Sequence, residues 1–150
     1  MKKQTLAIHT AYPSKDAYGA LSMPVYHAAA YEFDNAADMA DAFCGRVTAP
    51  DYSRVMNPTV MNLENRVKAL TGAQAVVALN SGMAAISNTL LALASAGKNI
   101  VSSRHMFGNT YSLITETLPR FGVESHACDL TDLSQVEKAV DENTWCIFLE

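Results

Sequence analysis

Residues 100–127, with the sequence IVSSRHMFGNTYSLITETLPRFGVESHA, decide the fold class of this chain. The segment opens with residues 100–102, which predict a strand, and closes with residues 123–127, which follow Gly122 and are predicted to form a second strand. Between them, residues from about 110 to 120 predict a helix, which should end at Gly122 because glycine is common just after a helix. A strand, a helix and a strand in this order are typical of a βαβ unit with parallel strands.

The same alternation extends in both directions along the chain. Ahead of this unit, the apolar run at 75–79 predicts a buried strand, and a predicted helix at about 83–96 follows it. After the unit come a predicted helix at 132–141 and a predicted strand at 145–149. Strands that begin roughly every two dozen residues favour an α/β fold with a mainly parallel sheet.

The N-terminal third gives weaker signals. Residues 1–33 show no clean period and are predicted to form an irregular arm. A short helix should follow, capped by Asp34 or Asn35, because both side chains can accept hydrogen bonds from a first helical turn. Asn57-Pro58 then predicts the start of a longer helix that ends at Gly72.

These signals divide the chain into two parts. Residues 1–45 are predicted to be an N-terminal arm with a short helix, and residues 46–150 the first part of an α/β domain. Glu150 directly follows an apolar strand, and a parallel sheet that ended there without a covering helix would expose apolar surface. We therefore expect a polypeptide truncated after this strand, with a complete small α/β domain as the alternative.

The composition argues against several classes of protein. With 150 residues, a formal net charge of −4 and a pI near 5.5, the chain is not expected to bind nucleic acid. No apolar run approaches the roughly 20 residues of a membrane span, and Met1 does not begin a signal peptide, so we expect a cytoplasmic location without a membrane partner. Three distant cysteines and four histidines without metal-binding spacing argue against a disulfide framework and a metal site.

The candidate site lies in the loops beyond the carboxyl ends of the strands, where open α/β sheets bind ligands. The turn Asn80–Met83 precedes a helix, and its glycine and unpaired N–H groups suit an anion such as phosphate, with a plain helix cap as the alternative. The loop at 104–110 places Phe107 at the same edge, where it could stack on a flat ring. Glu150 stands at the end of the last strand.

Tyr52 and Arg54 form a second candidate pair in a loop. In an extended segment both side chains point to the same side and could grip a phosphate, with an ordinary exposed pair as the alternative. The chain lacks the G-x-G-x-x-G and G-x-x-x-x-G-K-[ST] motifs of nucleotide sites, and Ser81 lacks the G-x-S-x-G frame of hydrolases. The residues alone thus indicate a parallel α/β half-domain with a phosphate-bearing ligand.

Five motifs, in order, resemble the signature of the Cys/Met-metabolism (trans-sulfuration) enzymes, which depend on pyridoxal 5′-phosphate (PLP). This family contains cystathionine γ-synthase, cystathionine lyases, methionine γ-lyase and the O-acyl-homoserine sulfhydrylases. The resemblance covers nearly the whole chain. The motifs are Tyr52-Ser53-Arg54, Asn57-Pro58-Thr59, Leu63-Glu64, the sequence SGMAA at 81–85 and the sequence FGNTY at 107–111.

The resemblance implies an aspartate-aminotransferase-type fold, of which this chain would be the N-terminal arm and the first half of the cofactor domain. It also implies that Ser81, Gly82 and Met83 bind the PLP phosphate and that Phe107 stacks on the pyridine ring. Glu150 would begin the family's E-x-x-x-N-P stretch beside the cofactor.

The resemblance further implies an active site shared between subunits. Tyr52 and Arg54 would reach the phosphate of a neighbouring subunit, so the protein would be a homo-oligomer, at least a dimer, that acts on an amino-acid substrate. The lysine that holds PLP covalently lies in an S-x-[ST]-K context in the family, and none of the lysines of this chain has that context. The catalytic lysine is therefore expected outside this chain.

Two positions bear on the activity within the family. Many members have a tyrosine where this chain has Phe107. The phenylalanine ring can stack but cannot carry a proton. Some sulfhydrylases resemble this chain in having Phe-Gly at this place. Methionine γ-lyases typically have a cysteine at the place of Asn109. These positions favour γ-replacement on an O-acyl-homoserine by a sulfur nucleophile. The alternatives are elimination by a cystathionine or methionine lyase, a non-catalytic truncated fragment, and an unrelated domain that binds a phosphorylated metabolite.

Overall fold

The computed structural model describes residues 2–10, 16 and 18–150, so residues 1, 11–15 and 17 of the predicted arm lie outside the description. The chain forms two compact units, 1–78 and 79–150. The first is helical, and the second contains a parallel sheet. The domain boundary predicted after residue 45 stays a prediction.

The first unit contains three helices: α1 (Lys3–His9), α2 (Ala36–Phe43) and α3 (Pro58–Thr71). The predicted cap of α2 is Asn35, whose side chain accepts hydrogen bonds from the amides of residues 37 and 38. The helix predicted from Asn57-Pro58 is confirmed as α3, and Gly72 ends it in the left-handed conformation at φ 74°. Local capping signals are sufficient here because each acts within one helical turn.

Helix α1 corrects the prediction of a wholly irregular arm. Seven residues are too few to show a helical period or to form a stable helix alone. The helix instead packs against α3, and Nη1 of Arg66 in α3 donates a hydrogen bond of 2.9 Å to the carbonyl of Ala7. That contact joins residues 59 positions apart, so no local pattern could predict it.

The second unit has the alternating strands and helices that the sequence predicted. Its elements are α4 (Gly82–Leu93), β1 (Asn99–Ser103), α5 (Gly108–Ser112), β2 (Glu124–Cys128), α6 (Leu133–Ala139) and β3 (Thr144–Phe148). The sheet order is β2-β1-β3, and β1 pairs in parallel with both neighbours. The predicted parallel α/β sheet is therefore confirmed for these three strands.

Two predicted helices differ in detail from the structure. Helix α4 ends at Leu93 and not near residue 96, because the following residues turn so that the Gly97 amide donates to the Gly122 carbonyl at 2.8 Å. The segment predicted at 110–120 begins as α5 and continues through a π-helical turn, Leu113–Thr117, and a 3₁₀ turn, Leu118–Phe121. Pro119 lies in that last turn and has no amide hydrogen to continue an α-helical ladder.

The strand predicted at 75–79 is absent, which is the largest correction. These residues have no strand partner within the described part of the chain. The Ala78 amide instead donates to the Glu64 carboxylate of α3 at 2.8 Å, and the Val77 side chain is 75% exposed. An apolar run predicts burial, whereas a strand also requires a neighbouring backbone with free hydrogen-bonding groups.

The core of the second unit lies between the sheet and its helices. Its five buried side chains are Leu90, Ile100, Ile114, Leu118 and Val123. Trp145 and Phe148 of β3 pack against them. Among the described residues, no helix combines the length and the apolar character that a bilayer crossing requires.

Gly122 provides a test of the packing between the end of the 3₁₀ turn and the start of β1. Its φ is 76°, and a Cβ added there would lie 3.2 Å from Cβ of Ala96. Gly72 has nearly the same φ, 74°, but a Cβ there would meet nothing within 4 Å. We expect Gly72→Ala to lower the free energy of unfolding by about 1–2 kcal/mol, the cost of the left-handed conformation, and Gly122→Ala to lower it further. Urea denaturation of both variants checks this, and equal losses would contradict the role of the Ala96 contact.

The opposite end of the sheet from the candidate site carries a polar network in which Asn99 is buried and Asp141 is exposed. Nδ2 of Asn99 donates to Oδ1 of Asp141 at 2.8 Å, and the Asn143 amide donates to the same oxygen at 2.8 Å. The hydrogen bond from Asn99 lowers the pKa of the Asp141 carboxyl most, and the bond from the Asn143 amide lowers it further. The ionised carboxylate therefore stabilises the fold above the unfolded pKa, and this contribution is lost as the pH falls through the lower folded pKa.

We expect Asp141→Asn to be less stable than the parent protein at pH 7. The difference should shrink as the pH falls below about 4, because the parent carboxyl then becomes neutral as well. Thermal unfolding of both proteins between pH 7 and pH 2 measures this difference. A difference that does not depend on pH would show that the ionised form is not the stabilising one.

Candidate functional site

The turn at 81–83 presents two unpaired amides at the start of α4. Ser81 is the N-cap, with φ −159° and ψ 162°, and its Oγ accepts a hydrogen bond from the Ala84 amide at 3.0 Å. Among the described residues, neither the Gly82 amide nor the Met83 amide has an acceptor. A Cβ added at Gly82 would meet nothing within 4 Å, so the turn is open beside these donors. Two free N–H groups at the positive end of a helix suit an anion such as phosphate.

The structure brings the other two predicted loops next to this turn. The Phe107 amide donates a 3.0 Å hydrogen bond to Oε2 of Glu150, and the Thr110 hydroxyl donates a 3.1 Å hydrogen bond to Oε1 of the same carboxylate. Oγ1 of Thr110 also lies 3.7 Å from Sδ of Met83. The turn at 81–83, the loop of Phe107 and the end of β3 therefore meet at one edge of the sheet.

Phe107 is exposed at this edge of the sheet. It lies beyond the carboxyl end of β1 and immediately before α5. Its side chain is 66% exposed, although its backbone is held by Glu150. An aromatic ring that is exposed on a fixed backbone is available to stack on a flat partner.

Thr110 is the residue of this site that sequence reasoning missed. In the sequence it belongs to the FGNTY motif at 107–111 and is predicted only to start a helix. In the structure it is fully buried and contacts both Glu150 and Met83. The usable signal is a threonine three residues after Phe107, which the structure places at the third position of α5, where a polar side chain can reach groups beside the helix N-terminus.

Tyr52 and Arg54 lie in the first unit. Backbone pairing between Tyr52 and Ala30 anchors the loop, and the Arg54 guanidinium carbon lies 5.3 Å from the centre of the Tyr52 ring. Both side chains are exposed. The structure therefore places the phenol and the guanidinium together, which the two-residue spacing predicted.

A hydrogen-bond network around Asn57 holds the loop of Tyr52 and Arg54. Oδ1 of Asn57 caps α3 by accepting from the Thr59 amide at 2.9 Å. Nδ2 of Asn57 donates to Oγ of Ser53 at 2.8 Å and lies 3.1 Å from the Tyr26 carbonyl oxygen. The Asn57 side chain thus caps a helix and ties two chain segments to it. Ser53 itself lies between the two exposed residues of the pair.

Replacing Asn57 with serine should separate these two roles. Serine is a good N-cap, so the start of α3 should persist, whereas the donor to Ser53 and to the Tyr26 carbonyl is lost. We expect the free energy of unfolding to fall by about 1–2 kcal/mol and hydrogen exchange to accelerate at 52–55. Urea denaturation and hydrogen–deuterium exchange measure these effects. The matched control is Asn35→Ser, since Asn35 also caps a helix but donates only to exposed Asp38.

The matches to known proteins cover the whole of this architecture. Residues 4–150 match the family described as Cys/Met metabolism PLP-dependent enzyme. An L-methionine gamma-lyase from Fusobacterium nucleatum is 39% identical over 100% of this chain and 38% of its own length. An O-succinylhomoserine sulfhydrylase from Pseudomonas aeruginosa is 40% identical over 84% of this chain and 31% of its own length.

A crystal structure from Campylobacter jejuni, assigned as an O-acetylhomoserine (thiol)-lyase, superposes with a TM-score of 0.91 at 38% identity. The match covers 99% of this chain and 36% of that chain, which carries N′-pyridoxyl-lysine-5′-monophosphate. This chain thus spans less than two fifths of the length of each of these relatives. The similarity confirms the aspartate-aminotransferase-type fold, and the chain belongs to the family of PLP-dependent enzymes of Cys/Met metabolism.

Proposed function

We propose that the protein uses PLP for γ-replacement on an O-acyl-homoserine, with sulfide or a thiol as the nucleophile. One observation carries the proposal. An open turn with two unpaired amides lies next to a loop with an exposed aromatic ring, at the same edge of the sheet. A phosphate and a flat ring joined to it require these two features side by side.

The donors of the site fit the phosphate of PLP. The Gly82 and Met83 amides would donate to phosphate oxygens, and the Ser81 hydroxyl would add a third donor, since its oxygen already accepts from Ala84. The Phe107 ring would stack on the pyridine face. When bound, PLP would act as the electron sink for breaking bonds at the amino-acid substrate.

Tyr52 and Arg54 would complete the phosphate site of a neighbouring subunit. A guanidinium and a phenol are both good donors to phosphate, and here they lie together and exposed. We accordingly propose a homo-oligomer, at least a dimer, in the cytoplasm. We also propose that the lysine that binds PLP covalently comes from sequence outside this chain, because no lysine here has the family's S-x-[ST]-K context.

The choice of replacement over elimination rests on two positions. Phe107 stacks without a hydroxyl that could move a proton, and Asn109 stands where methionine γ-lyases typically have a cysteine. The second candidate is elimination, which is favoured by the 39% identity to an L-methionine gamma-lyase. The relatives include both sulfhydrylases and lyases, so a product assay must separate the two reactions.

The test uses the full-length protein with PLP, O-acetylhomoserine or O-succinylhomoserine, and sulfide. We expect homocysteine to form with sulfide, and we expect little 2-oxobutyrate and ammonia without it. Accumulation of 2-oxobutyrate and ammonia from methionine or cystathionine without a thiol would support the lyase instead. A purified full-length protein that remains colourless with PLP would refute both candidates.

A further inference from the structure

We propose that Glu150 and Thr110 are positioning residues that hold the Phe107 ring in place, by completing the N-terminal cap of α5 from the end of β3. This inference rests on the proposed PLP site for its functional meaning. Its structural part, the clamp that Glu150 and Thr110 form on the Phe107 loop, can be tested without the cofactor.

Helix α5 lacks the cap that a helix start normally carries. Its N-cap residue is Phe107, whose side chain makes no capping hydrogen bond. In a capping box, a carboxylate at the third helical position accepts from the N-cap amide. The third helical position here is Thr110, which has no carboxylate.

Glu150 supplies that carboxylate from 43 residues away. Its Oε2 accepts from the Phe107 amide at 3.0 Å, which is the bond that a capping box would make. Its negative charge lies at the N-terminal end of α5, where the helix dipole favours an anion. The cap therefore ties the end of β3 to the backbone of the aromatic residue.

Thr110 holds the second carboxylate oxygen. The threonine is fully buried, and its hydroxyl donates to Oε1 of Glu150 at 3.1 Å. Its single hydroxyl hydrogen is used there, and the hydroxyl oxygen also packs against Sδ of Met83 at 3.7 Å. Thr110 therefore fixes the Glu150 carboxylate and places it beside the turn at 81–83.

Both oxygens of Glu150 thus face donors of the protein. The side chain therefore acts on the site through Phe107 and need not touch the cofactor. The clamp holds the backbone amide of Phe107, whose ring is exposed. The orientation of the ring should therefore depend on the clamp. The same two side chains join the loop after β1, the end of β3 and the start of α4.

The first measurement is hydrogen–deuterium exchange of the full-length protein without PLP, over peptides that cover 105–112. We expect Glu150→Ala and Thr110→Val to accelerate exchange of the Phe107 amide by about tenfold, the effect of losing one hydrogen bond. Glu150→Gln should stay close to the parent protein, because its amide oxygen can still accept from Phe107 and its amide nitrogen can donate to Thr110. The control Glu137→Ala removes an exposed carboxylate of α6 and should change nothing in these peptides.

The second measurement is the visible circular dichroism of bound PLP. This signal reports how the protein holds the cofactor ring, and a change in stability alone would not alter it. We expect Glu150→Ala and Thr110→Val to lose this band at saturating PLP, while Glu150→Gln and Thr110→Ser retain it. Unchanged exchange at 105–112 would overturn the clamp, and accelerated exchange with an unchanged band would overturn its effect on the ring. If Glu150→Ala fails to fold, the comparison of Thr110→Val with Thr110→Ser decides. A parent protein that binds no PLP would refute the proposed function, and the exchange result would still stand.

Discussion

Replacing Gly82 with proline should weaken PLP binding by about 10- to 100-fold and leave the fold intact, since a hydrogen bond to a charged group contributes roughly 1.5–3 kcal/mol. Gly82 is the first residue of α4, where proline is well tolerated because the amide there has no partner within the helix. Ser81, with φ −159° and ψ 162°, already has the extended backbone that a residue before proline requires. The substitution therefore removes the donor proposed for the phosphate at little structural cost.

The matched control is Gly82→Ala, which keeps the amide hydrogen. A Cβ there meets nothing within 4 Å, so the alanine variant should fold normally and bind PLP close to parent affinity. Fluorescence titration of cofactor-free full-length protein with PLP measures the affinity, and thermal unfolding checks the fold. If the proline and alanine variants bound PLP equally well, the Gly82 amide would not be a phosphate donor. An equal loss in both variants would indicate that filling the space is the cause.

Replacing Ile100 with alanine should lower the free energy of unfolding by about 2–5 kcal/mol, a large share of the roughly 5–15 kcal/mol that keeps a domain folded. Ile100 lies on the central strand β1 and is 0% exposed. It belongs to the core cluster with Leu90, Ile114 and Leu118. Alanine loses the transfer energy of the removed methylene and methyl groups and leaves a cavity that these neighbours cannot fully close.

The control for Ile100 is Leu133→Ala, which also truncates an aliphatic side chain but at a position that is 74% exposed. We expect a change within about 0.5 kcal/mol there, because no packed contact is lost. Urea denaturation of the full-length variants compares the two. Similar losses at the two positions would contradict the assignment of the core to the space between the sheet and its helices.

Most helix boundaries could be predicted from the sequence because their signals are local. Asn57 caps α3 and Gly72 ends it, and each acts through groups within a single turn. The strands β1 and β3 were predicted from short apolar runs, and β2 from its place in the alternation of strands and helices. The run at 75–79 had the same character and forms no strand among the described residues, since pairing depends on a second backbone. Helix α1 was not predicted because it is stabilised by a distant residue, Arg66 in α3, and not by a local signal.

The sequence by itself determined the family, the parallel α/β class and the motifs that carry the candidate site, because glycine turns, caps and ordered motifs are properties of adjacent residues. Only the tertiary structure decided that Glu150 holds Phe107 and Thr110, and that Asn57 ties the Tyr26 carbonyl to Ser53. These hydrogen bonds join residues between 4 and 43 positions apart, and most of them cross from one element to another. The bonds of Glu150 and of the Tyr26 carbonyl exist only once the fold has brought distant segments together, and no local pattern encodes which donor will meet which acceptor.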